Sequence, residues 1–215
     1  MNIALIGATG FVGSKLREEA LRRGHSVTAI VRHPEKLPQH AALTPKAADV
    51  YDPGEVAAAV AGHDLVLSAF NGGFAGPEAQ ARHVRGSRAI VEGAKRAGVP
   101  RLVVIGGAGS LFVAPGVQLV DTPQFPAEWK EGALGARQAL RDLQAEPSLD
   151  WTFVSPAALL EPGERTGKYR LGGDELLMDG EQPAHISVED LAVAVLDEIE
   201  RPQHSRRRFT AASAA

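Results

Sequence analysis

The glycine-rich stretch NIALIGATGFVG, residues 2–13, decides how this chain folds. Residues 2–6 are a short apolar run that predicts a β-strand, and the SKLREEA that follows the stretch predicts a helix. Gly7 can adopt a turn conformation that a Cβ would hinder, and Gly10 lets the main chain approach a ligand closely. Gly13 lets the helix pack tightly on the strand. Such a turn cradles a phosphate, because free N–H groups and the positive end of the helix dipole face the anion.

The spacing of the three glycines is G-x-x-G-x-x-G, which differs from the G-x-G-x-x-G of many dehydrogenases. A glycine triplet alone is weak evidence. One that follows a strand and precedes a helix favours a dinucleotide-binding loop over a purely structural turn. We therefore expect six residues of the loop to contact a dinucleotide cofactor, namely Gly7, Thr9, Gly10, Phe11, Val12 and Gly13.

Length and composition exclude several other classes of protein. The chain of 215 residues is long enough to bury its own core, and we expect one domain over residues 1–215. It has no cysteine, which excludes disulfides and thiolate metal sites, and its histidines show no H-x-x-x-H spacing, so no metal site is predicted. A net charge of −3 gives no indication of nucleic-acid binding, and no apolar stretch is long enough to span a membrane. Because no signal-peptide pattern is present, a cytoplasmic location is expected.

Strand and helix patterns alternate along the chain. Strands are predicted at residues 2–6, 26–31, 43–48, 64–70, 101–105 and 150–154, and helices at 14–20, 53–60, 77–97, 128–145 and 188–200. Because the strands are nearly continuous apolar runs, this alternation predicts an α/β fold with a doubly wound parallel sheet that is Rossmann-like.

Two segments fit the alternation less well, namely residues 111–127, a loop with three prolines, and residues 161–185. Residues 161–185 are rich in glycine and charge, and we expect a small hairpin excursion over the substrate crevice at the carboxyl ends of the strands. A variable surface segment is the alternative. The arginine run at residues 206–208 is interpreted as a solvated strand edge or terminus rather than a binding patch.

The residues after the second predicted strand bear on the choice of cofactor. A residue about 20 positions past the glycine loop lies near the ribose 2′ position in this fold, where an acidic side chain favours NAD. This chain has Arg32 there, followed by His33, and the first acidic residue, Glu35, comes after a proline. A guanidinium can bind a 2′-phosphate through two hydrogen bonds, and Lys36 adds charge nearby. NADP is therefore predicted in preference to NAD, with a solvated loop arginine as the alternative.

Two further strand ends carry candidate cofactor contacts. Asp49 can accept a hydrogen bond from the adenine amino group, with the main chain of Val50 beside it, although helix capping is also open to Asp49. The fourth strand ends at Ala69, Phe70 and Asn71, where we expect the chain to run beside the cofactor riboses. Turn formation is the alternative for Asn71.

Five segments are similar to one known family, namely GATGFVGSKL, VTAIVRHPEKL, RLVVIGGAGSL, DWTFVSPAALLEPGERTGKY and ISVEDLAVAVLDEIERP. Almost end to end, the chain resembles the atypical short-chain dehydrogenase/reductase proteins with an NAD(P)H-binding domain, and among them those provisionally named NADH-flavin reductases. EPGERTG is the most specific part of the match. The resemblance implies a Rossmann-like sheet and a nicotinamide cofactor. The family name indicates NAD as that cofactor, whereas Arg32 favours NADP, and both stay open at this point. It also implies that the main chain at Ser155 and Pro156 reaches the nicotinamide amide.

The same resemblance implies where catalytic groups would lie. Typical members of the superfamily use a serine and a Y-x-x-x-K pair, in which the phenol donates a proton to a carbonyl oxygen. The two tyrosines of this chain, Tyr51 and Tyr169, are not followed by lysine four residues later. Gly106 and Gly107 stand where the serine is usual, and we expect them to leave space above the nicotinamide. Ser110, three residues further on, is the candidate catalytic residue, with a capping or backbone role as the alternative.

The missing proton donor favours an acceptor that needs little help from the protein. A flavin carries the electronic difficulty of accepting a hydride, so the protein mainly has to stack two rings at reacting distance. Phe74, Phe112 and Trp129 are candidates to line an apolar slot for the second ring, although each also suits ordinary packing. The sequence therefore predicts an NAD(P)H-dependent oxidoreductase with a small-molecule substrate, passing hydride to a flavin or quinone-like acceptor.

Two other functions stay open at this point. One is a non-enzymatic NADP(H)-binding redox sensor or regulatory protein, which also needs no Y-x-x-x-K pair. The other is a sugar-nucleotide epimerase or dehydratase, which the short C-terminal portion disfavours. A homodimer is among the assemblies open to the chain, and neither a nucleic-acid nor a membrane partner is expected.

Overall fold

The computed structural model describes residues 1–214, which form a central eight-stranded sheet with helices on both faces. The strands are β1 (Asn2–Ile6), β2 (Ser26–Val31), β3 (Leu43–Ala47), β4 (Leu65–Ser68), β5 (Arg101–Ile105), β6 (Phe112–Ala114), β7 (Val117–Gln118), β8 (Asp150–Pro156), β9 (Leu159–Glu161), β10 (Tyr169–Gly172), β11 (Met178–Asp179), β12 (Gln182–Pro183), β13 (His185–Ser187) and β14 (Arg207–Ser213). The helices are α1 (Phe11–Arg22), α2 (Pro53–Val60), α3 (Ala79–Arg96), α4 (Ala127–Gln144) and α5 (Val188–Glu200). No helix within residues 1–214 is long and apolar enough to cross a membrane.

Seven strands of the sheet are parallel, in the order β14-β8-β5-β4-β1-β2-β3, and β10 adds an antiparallel edge beside β14. The chain winds outward from β1 to β3, returns to β4 on the other side of β1, and winds outward again. The winding reverses between β1 and β4, and in open α/β sheets ligands bind in a crevice at the carboxyl ends of the strands at such a point. The Rossmann-like α/β fold predicted from the sequence is confirmed.

Two apolar cores sandwich the sheet. Successive residues of one strand face different cores. In β8, Phe153 packs with the α2, α3 and α4 layer, and Val154 packs with α1 and α5. Both side chains are completely buried. Full burial of such a side chain contributes about 1.5–3 kcal/mol relative to exposure. The strand ends that border the crevice are therefore held from both faces.

The segment 161–185 differs from the small hairpin excursion that the sequence predicts. Its β10 joins the central sheet by pairing with the end of β14, and the β11–β12 hairpin is only a small part of the segment. Before β10, the chain packs on α1, where Arg165 makes two hydrogen bonds of 2.7 Å to Glu19. The segment follows the sheet edge and the helices because its polar groups find partners there.

The strand after α5 is the other main difference. The interpretation of residues 206–208 as a solvated edge is wrong for Arg208, which is buried within β14. β14 lies inside the sheet because it pairs with β8 on one side and β10 on the other. The remaining predicted strands and helices have bounds within about three residues of those in the structure, a usual margin for element boundaries.

Candidate dinucleotide-binding site

The glycine loop joins β1 to α1 at the crevice. Gly7 has a φ of 81°, in the left-handed region that favours glycine, and donates its N–H to Ile30 O at 3.2 Å. A Cβ at Gly7 would lie 2.8 Å from Ala69 O, so the loop and the end of β4 touch through their main chains. A Cβ at Gly13 would lie 2.0 Å from Gly7 O. The first turn of α1 therefore packs directly against the loop, as the spacing of the glycines predicts.

The N-terminus of α1 suits a phosphate. Gly10 is the N-cap residue, no side chain caps the helix, and its first turn holds no acidic residue. The Gly10 N–H donates to Gly7 O at 3.0 Å, and Gly10 O accepts the N–H of Ser14 at 2.9 Å. The intervening N–H groups have no helical partner and are available to an anion. Thr9 and Phe11 are exposed beside them, which leaves the approach to this helix end open.

The end of β2 presents the residues expected to choose between NADP and NAD. Arg32 is exposed, and no side-chain hydrogen bond or ion pair involves it within residues 1–214. His33 is also exposed, and its Nδ1 lies 3.2 Å from Glu35 Oε1. Arg32 lies two residues after Ile30, whose carbonyl binds the glycine loop. A free guanidinium near the cradle fits a phosphate on the adenosine ribose.

The residues predicted to contact adenine and ribose follow β3 and β4. Asp49 Oδ1 accepts the N–H of Tyr51 at 2.9 Å, and Asn71 Oδ1 accepts the N–H of Gly73 at 2.8 Å. Asn71 thus makes the turn contact that its alternative interpretation predicts. Helix capping is wrong for Asp49, because Asp52 is the N-cap residue of α2. Asp49 Oδ2 and Asn71 Nδ2 have no partner within residues 1–214, so each side chain keeps one group for a ligand. Val50 is half-buried against the core beside α2 and α3.

Phe70 contributes its ring to packing, so only its main chain faces the cofactor side of β4. The ring covers Gly86 of α3 and lies 5.7 Å from the ring of His83. Burial lowers the pKa of His83 from 6.5 to about 4, and its Nδ1 accepts the N–H of Gly72 at 3.3 Å. His83 thus supports the loop after β4. Our sequence analysis missed this residue, although it falls one helical turn after Ala79 on the buried stripe of α3.

Gly106 and Gly107 at the end of β5 have different surroundings. The Gly106 N–H donates to Val154 O at 2.8 Å, and a Cβ there would lie 2.0 Å from the ring of Phe153. A Cβ at Gly107 would meet nothing within 4 Å. The open space that the sequence predicts at this strand end is therefore present at Gly107, whereas Gly106 is required by packing.

Ser110 does not fit the catalytic role predicted for it. The residue is 2% exposed, and its Oγ accepts a hydrogen bond from Arg208 Nη1 at 2.9 Å. Its carbonyl accepts hydrogen bonds from Arg208 and from Gln118 Nε2, both at 2.9 Å. A hydroxyl enclosed in this way cannot reach a substrate, so the alternative backbone role is the correct one. Ser155 and Pro156 are also buried, and Ser155 Oγ has no hydrogen-bond partner within residues 1–214.

Two of the three predicted aromatic residues lie at one end of α4. Phe74 O accepts the N–H of Gly132 at 3.3 Å, and Trp129 is one turn earlier on the same helix. Both side chains are more than half exposed, Phe74 at 60% and Trp129 at 53%. Phe112 lies in β6 and is half-buried. The structure thus places Phe74 and Trp129 beside the first turns of α4, while the main chain of Phe112 is bound to the segment after β10.

Both tyrosine rings are engaged by other side chains. Tyr169 OH donates to Asp197 Oδ2 at 2.5 Å on the α5 side, and burial together with this carboxylate raises the pKa of Tyr169 to about 12. The Tyr51 ring packs edge-on against Phe70 at the end of β4, with ring centres 5.8 Å apart, and the guanidinium of Arg85 lies 4.2 Å from its ring centre. The Tyr169 phenol is therefore not free to give a proton to a substrate at Gly107.

Together, the sheet, the glycine loop and the uncapped α1 define a Rossmann-like dinucleotide-binding protein. The sequence profile described as NAD(P)H-binding matches residues 7–202. The chain belongs to this NAD(P)H-binding family, and the resemblance to atypical short-chain dehydrogenases/reductases is confirmed.

Three solved structures share the fold at substantial sequence identity. A protein from Burkholderia pseudomallei, provisionally named an exported protein, is 49% identical over 99% of each chain, with a TM-score of 0.87. One from Bacteroides thetaiotaomicron, provisionally named an epimerase, is 45% identical over 100% of this chain and 97% of that one, with a TM-score of 0.93. One from Streptococcus pneumoniae, provisionally named an NADH-flavin reductase, is 33% identical over 100% of both chains, with a TM-score of 0.85. Because these three names differ, they do not identify one reaction for this chain.

Proposed function

We propose that the protein is a reductase that transfers a hydride from NADPH to a flavin or a quinone-like acceptor. The observation that carries the proposal is the engagement of the Tyr169 hydroxyl by Asp197, while the Tyr51 ring packs against Phe70 and beneath Arg85. A carbonyl substrate needs a positioned acid when it accepts a hydride. A flavin or quinone delocalises the added charge and can take its proton from water, so it does not need that acid.

The residues of the crevice suit each part of NADPH. Bound NADPH would supply a hydride from its nicotinamide ring. The N–H groups at the start of α1 would hold the pyrophosphate, and Arg32 would bind the 2′-phosphate. Asp49 Oδ2 would accept from the adenine amino group. The space at Gly107 would admit a second ring above the nicotinamide, because no side chain occupies it.

The exposed aromatic residues support a planar acceptor. Phe74 and Trp129 leave more than half of their side-chain surface uncovered, at 60% and 53% exposed. Large apolar side chains exposed at the edge of a crevice are a common feature of ligand sites. A flat aromatic acceptor would cover these rings by stacking, which is favoured for offset or edge-to-face pairs.

Steady-state turnover tests the proposal. NADPH oxidation is followed by absorbance with FMN, riboflavin and a small quinone as separate acceptors. We expect turnover with at least one of them at a rate that is proportional to enzyme concentration. Tight binding of NADPH without turnover of any acceptor would contradict the proposal and favour a redox sensor, which is the second candidate function.

The choice of cofactor is tested by Arg32→Ala. A charge-assisted hydrogen bond is worth about 1.5–3 kcal/mol, so the Kd for NADPH should rise by about tenfold or more. The Kd for NADH, which has no 2′-phosphate, should stay unchanged. Titration calorimetry measures both constants, and Arg207→Ala is the matched control because Arg207 is also exposed but lies in β14. Equal affinities of wild type and Arg32→Ala for NADPH would refute the assignment.

An epimerase or dehydratase is less well supported, although the relative from Bacteroides thetaiotaomicron bears such a name. Those reactions require an acid and a base that act on the substrate beside the nicotinamide. With Ser110 enclosed by Arg208 and Tyr169 bound to Asp197, the side chains that could serve are already occupied.

A further inference from the structure

We propose that Arg208 is a positioning residue for the electron acceptor. It acts by locking the acceptor wall, defined as residues 106–112 together with residues 174–177. The inference rests on the proposed function, because it assigns this wall to the acceptor side of the crevice. It concerns the loop after β5, which begins at the open position Gly107, and not the cofactor cradle at β1 and α1.

One guanidinium holds both parts of the wall. Arg208 Nη1 donates to the carbonyl and to the Oγ of Ser110, each at 2.9 Å. Arg208 Nε donates to Asp174 Oδ1 at 2.8 Å, and Nη2 donates to Asp174 O at 3.2 Å. The planar fork of arginine allows these parallel contacts, which a lysine ammonium cannot reproduce. The two segments are therefore tied to the same residue of β14.

The two segments also bind each other and α4. The N–H of Phe112 donates to Asp174 O at 2.9 Å, and the N–H of Leu176 donates to Phe112 O at 2.8 Å. Gln118 donates to Ser110 O and accepts from Arg137 of α4 at 3.2 Å. The wall is thus one hydrogen-bonded unit, and Arg208 is a side chain of the central sheet that ties its two parts together.

The burial of Arg208 makes this connection rigid. Its side chain is 3% exposed, while its carboxylate partner Asp174 is 62% exposed. Removal of the buried guanidinium leaves the Ser110 hydroxyl without its donor and the Ser110 carbonyl with Gln118 alone, and buried groups that lose partners are costly. Arg207 offers a matched comparison, because it is the adjacent residue of the same strand and is exposed. Its loss removes the same charge without any contact to the wall.

The experiment compares Arg208→Met, Arg208→Lys, Asp174→Asn and Arg207→Met with wild type. Hydrogen-exchange rates of the Phe112 and Leu176 amides measure the opening of the wall directly, because these amides donate hydrogen bonds between its two parts. We expect these amides to exchange at least about tenfold faster in Arg208→Met, since local opening depends on the contacts that close it. Exchange in Arg207→Met should match wild type. Asp174→Asn changes an exposed side chain, so it remains folded and should show an intermediate increase even if Arg208→Met unfolds.

Kinetics separate positioning from stability. We expect Arg208→Met to raise the KM for the acceptor by about tenfold or more, because displacement of a wall by about 1 Å is enough to disturb ring alignment. Arg208→Lys should restore little, and the Kd for NADPH should stay at the wild-type value in every variant. Faster exchange with an unchanged acceptor KM would overturn the proposal, and so would equal behaviour of Arg208→Met and Arg207→Met. If wild type reduces no acceptor, the proposed function fails, and the exchange comparison alone decides whether Arg208 anchors the wall.

Discussion

Gly10 and Gly13 lie three residues apart in the same loop, yet they are glycine for different reasons. A Cβ at Gly13 would lie 2.0 Å from the carbonyl oxygen of Gly7, so the folded chain itself excludes it. A Cβ at Gly10 would lie 3.3 Å from that oxygen, a contact that a small shift relieves. Because Gly10 is exposed, we propose that a ligand requires glycine at this position, since a cofactor pyrophosphate would pack against its main chain.

Gly10→Ala should therefore lose cofactor binding while keeping its fold. We expect the unfolding free energy to fall by no more than about 1 kcal/mol, which is the usual preference for glycine over alanine at an N-cap. The Kd for NADPH should rise by about tenfold or more, because the methyl group displaces the phosphate from the N–H groups. Gly98→Ala is the converse control: Gly98 has a φ of 65° and open space around it, so alanine there is strained but remote from the cradle. Calorimetry should show that NADPH binding is lost in Gly10→Ala and kept in Gly98→Ala. Thermal denaturation should show that Gly98→Ala is the less stable variant.

The ion-pair network between α1, α5 and residues 163–169 acts at the scale of whole elements. Glu19 of α1 is 3% exposed and binds both Arg165 and Arg23. Arg23 also contacts Asp197 and Glu200 of α5 at 2.7 and 2.8 Å. Removal of one partner from a buried network leaves the others uncompensated. EPGERTG, the most specific segment of the family resemblance, thus binds α1 through Arg165 and α5 through the Gly167 N–H, which donates to Asp190.

The Glu19 carboxylate should make the free energy of unfolding depend on pH in the acid range. The hydrogen bond from Arg165 lowers the pKa of Glu19 from 4.5 to about 2 in the folded state. The unfolded chain therefore binds the proton first, so the stabilisation is complete above pH 4.5 and is lost as the pH falls towards 2. A shift of this size corresponds to about 3 kcal/mol. Urea unfolding at pH 6 and pH 3 should show this loss in wild type and a smaller one in Glu19→Gln, which is less stable at pH 6. Glu18→Gln, an exposed neighbour, should follow wild type, and parallel curves for all three would contradict the prediction.

The elements that sequence predicts well are those whose pattern is local. The glycine loop, the apolar run of β5 and the helix of residues 188–200 are evident from spacing alone, because each follows from short-range periodicity. β14 is not evident, since Arg208 is buried only through Ser110 and Asp174, partners that are distant in sequence. The same long-range contacts explain why Ser110 looked available for catalysis. Tertiary partners of polar residues are the part of the site that periodicity does not encode.

At the scale of the molecule, the loop beside the crevice and the helical layer behind it meet at His83. A Cβ at Gly72 of the loop would lie 2.4 Å from His83 N, and a Cβ at Gly135 of α4 would lie 2.7 Å from His83 Cβ. The imidazole therefore lies where β4, α3 and α4 converge. Its neutral form accepts the Gly72 N–H. Protonation would place a second donor against that N–H and a charge inside the apolar layer, both of which oppose folding.

The pH dependence of His83 should begin at a higher pH than that of Glu19. Burial lowers the pKa of His83 from 6.5 to about 4, so the unfolded chain binds this proton first as the solution is acidified. Stability is complete above pH 6.5 and falls between pH 6.5 and 4, by as much as about 3 kcal/mol. Urea unfolding is measured at pH 7 and pH 5, because both values lie above the pH range in which Glu19 titrates. His83→Gln, which retains an acceptor for Gly72, should lose most of this dependence, while the exposed His40→Gln should keep it. Equal pH dependence in wild type and His83→Gln would show that another group senses the acid.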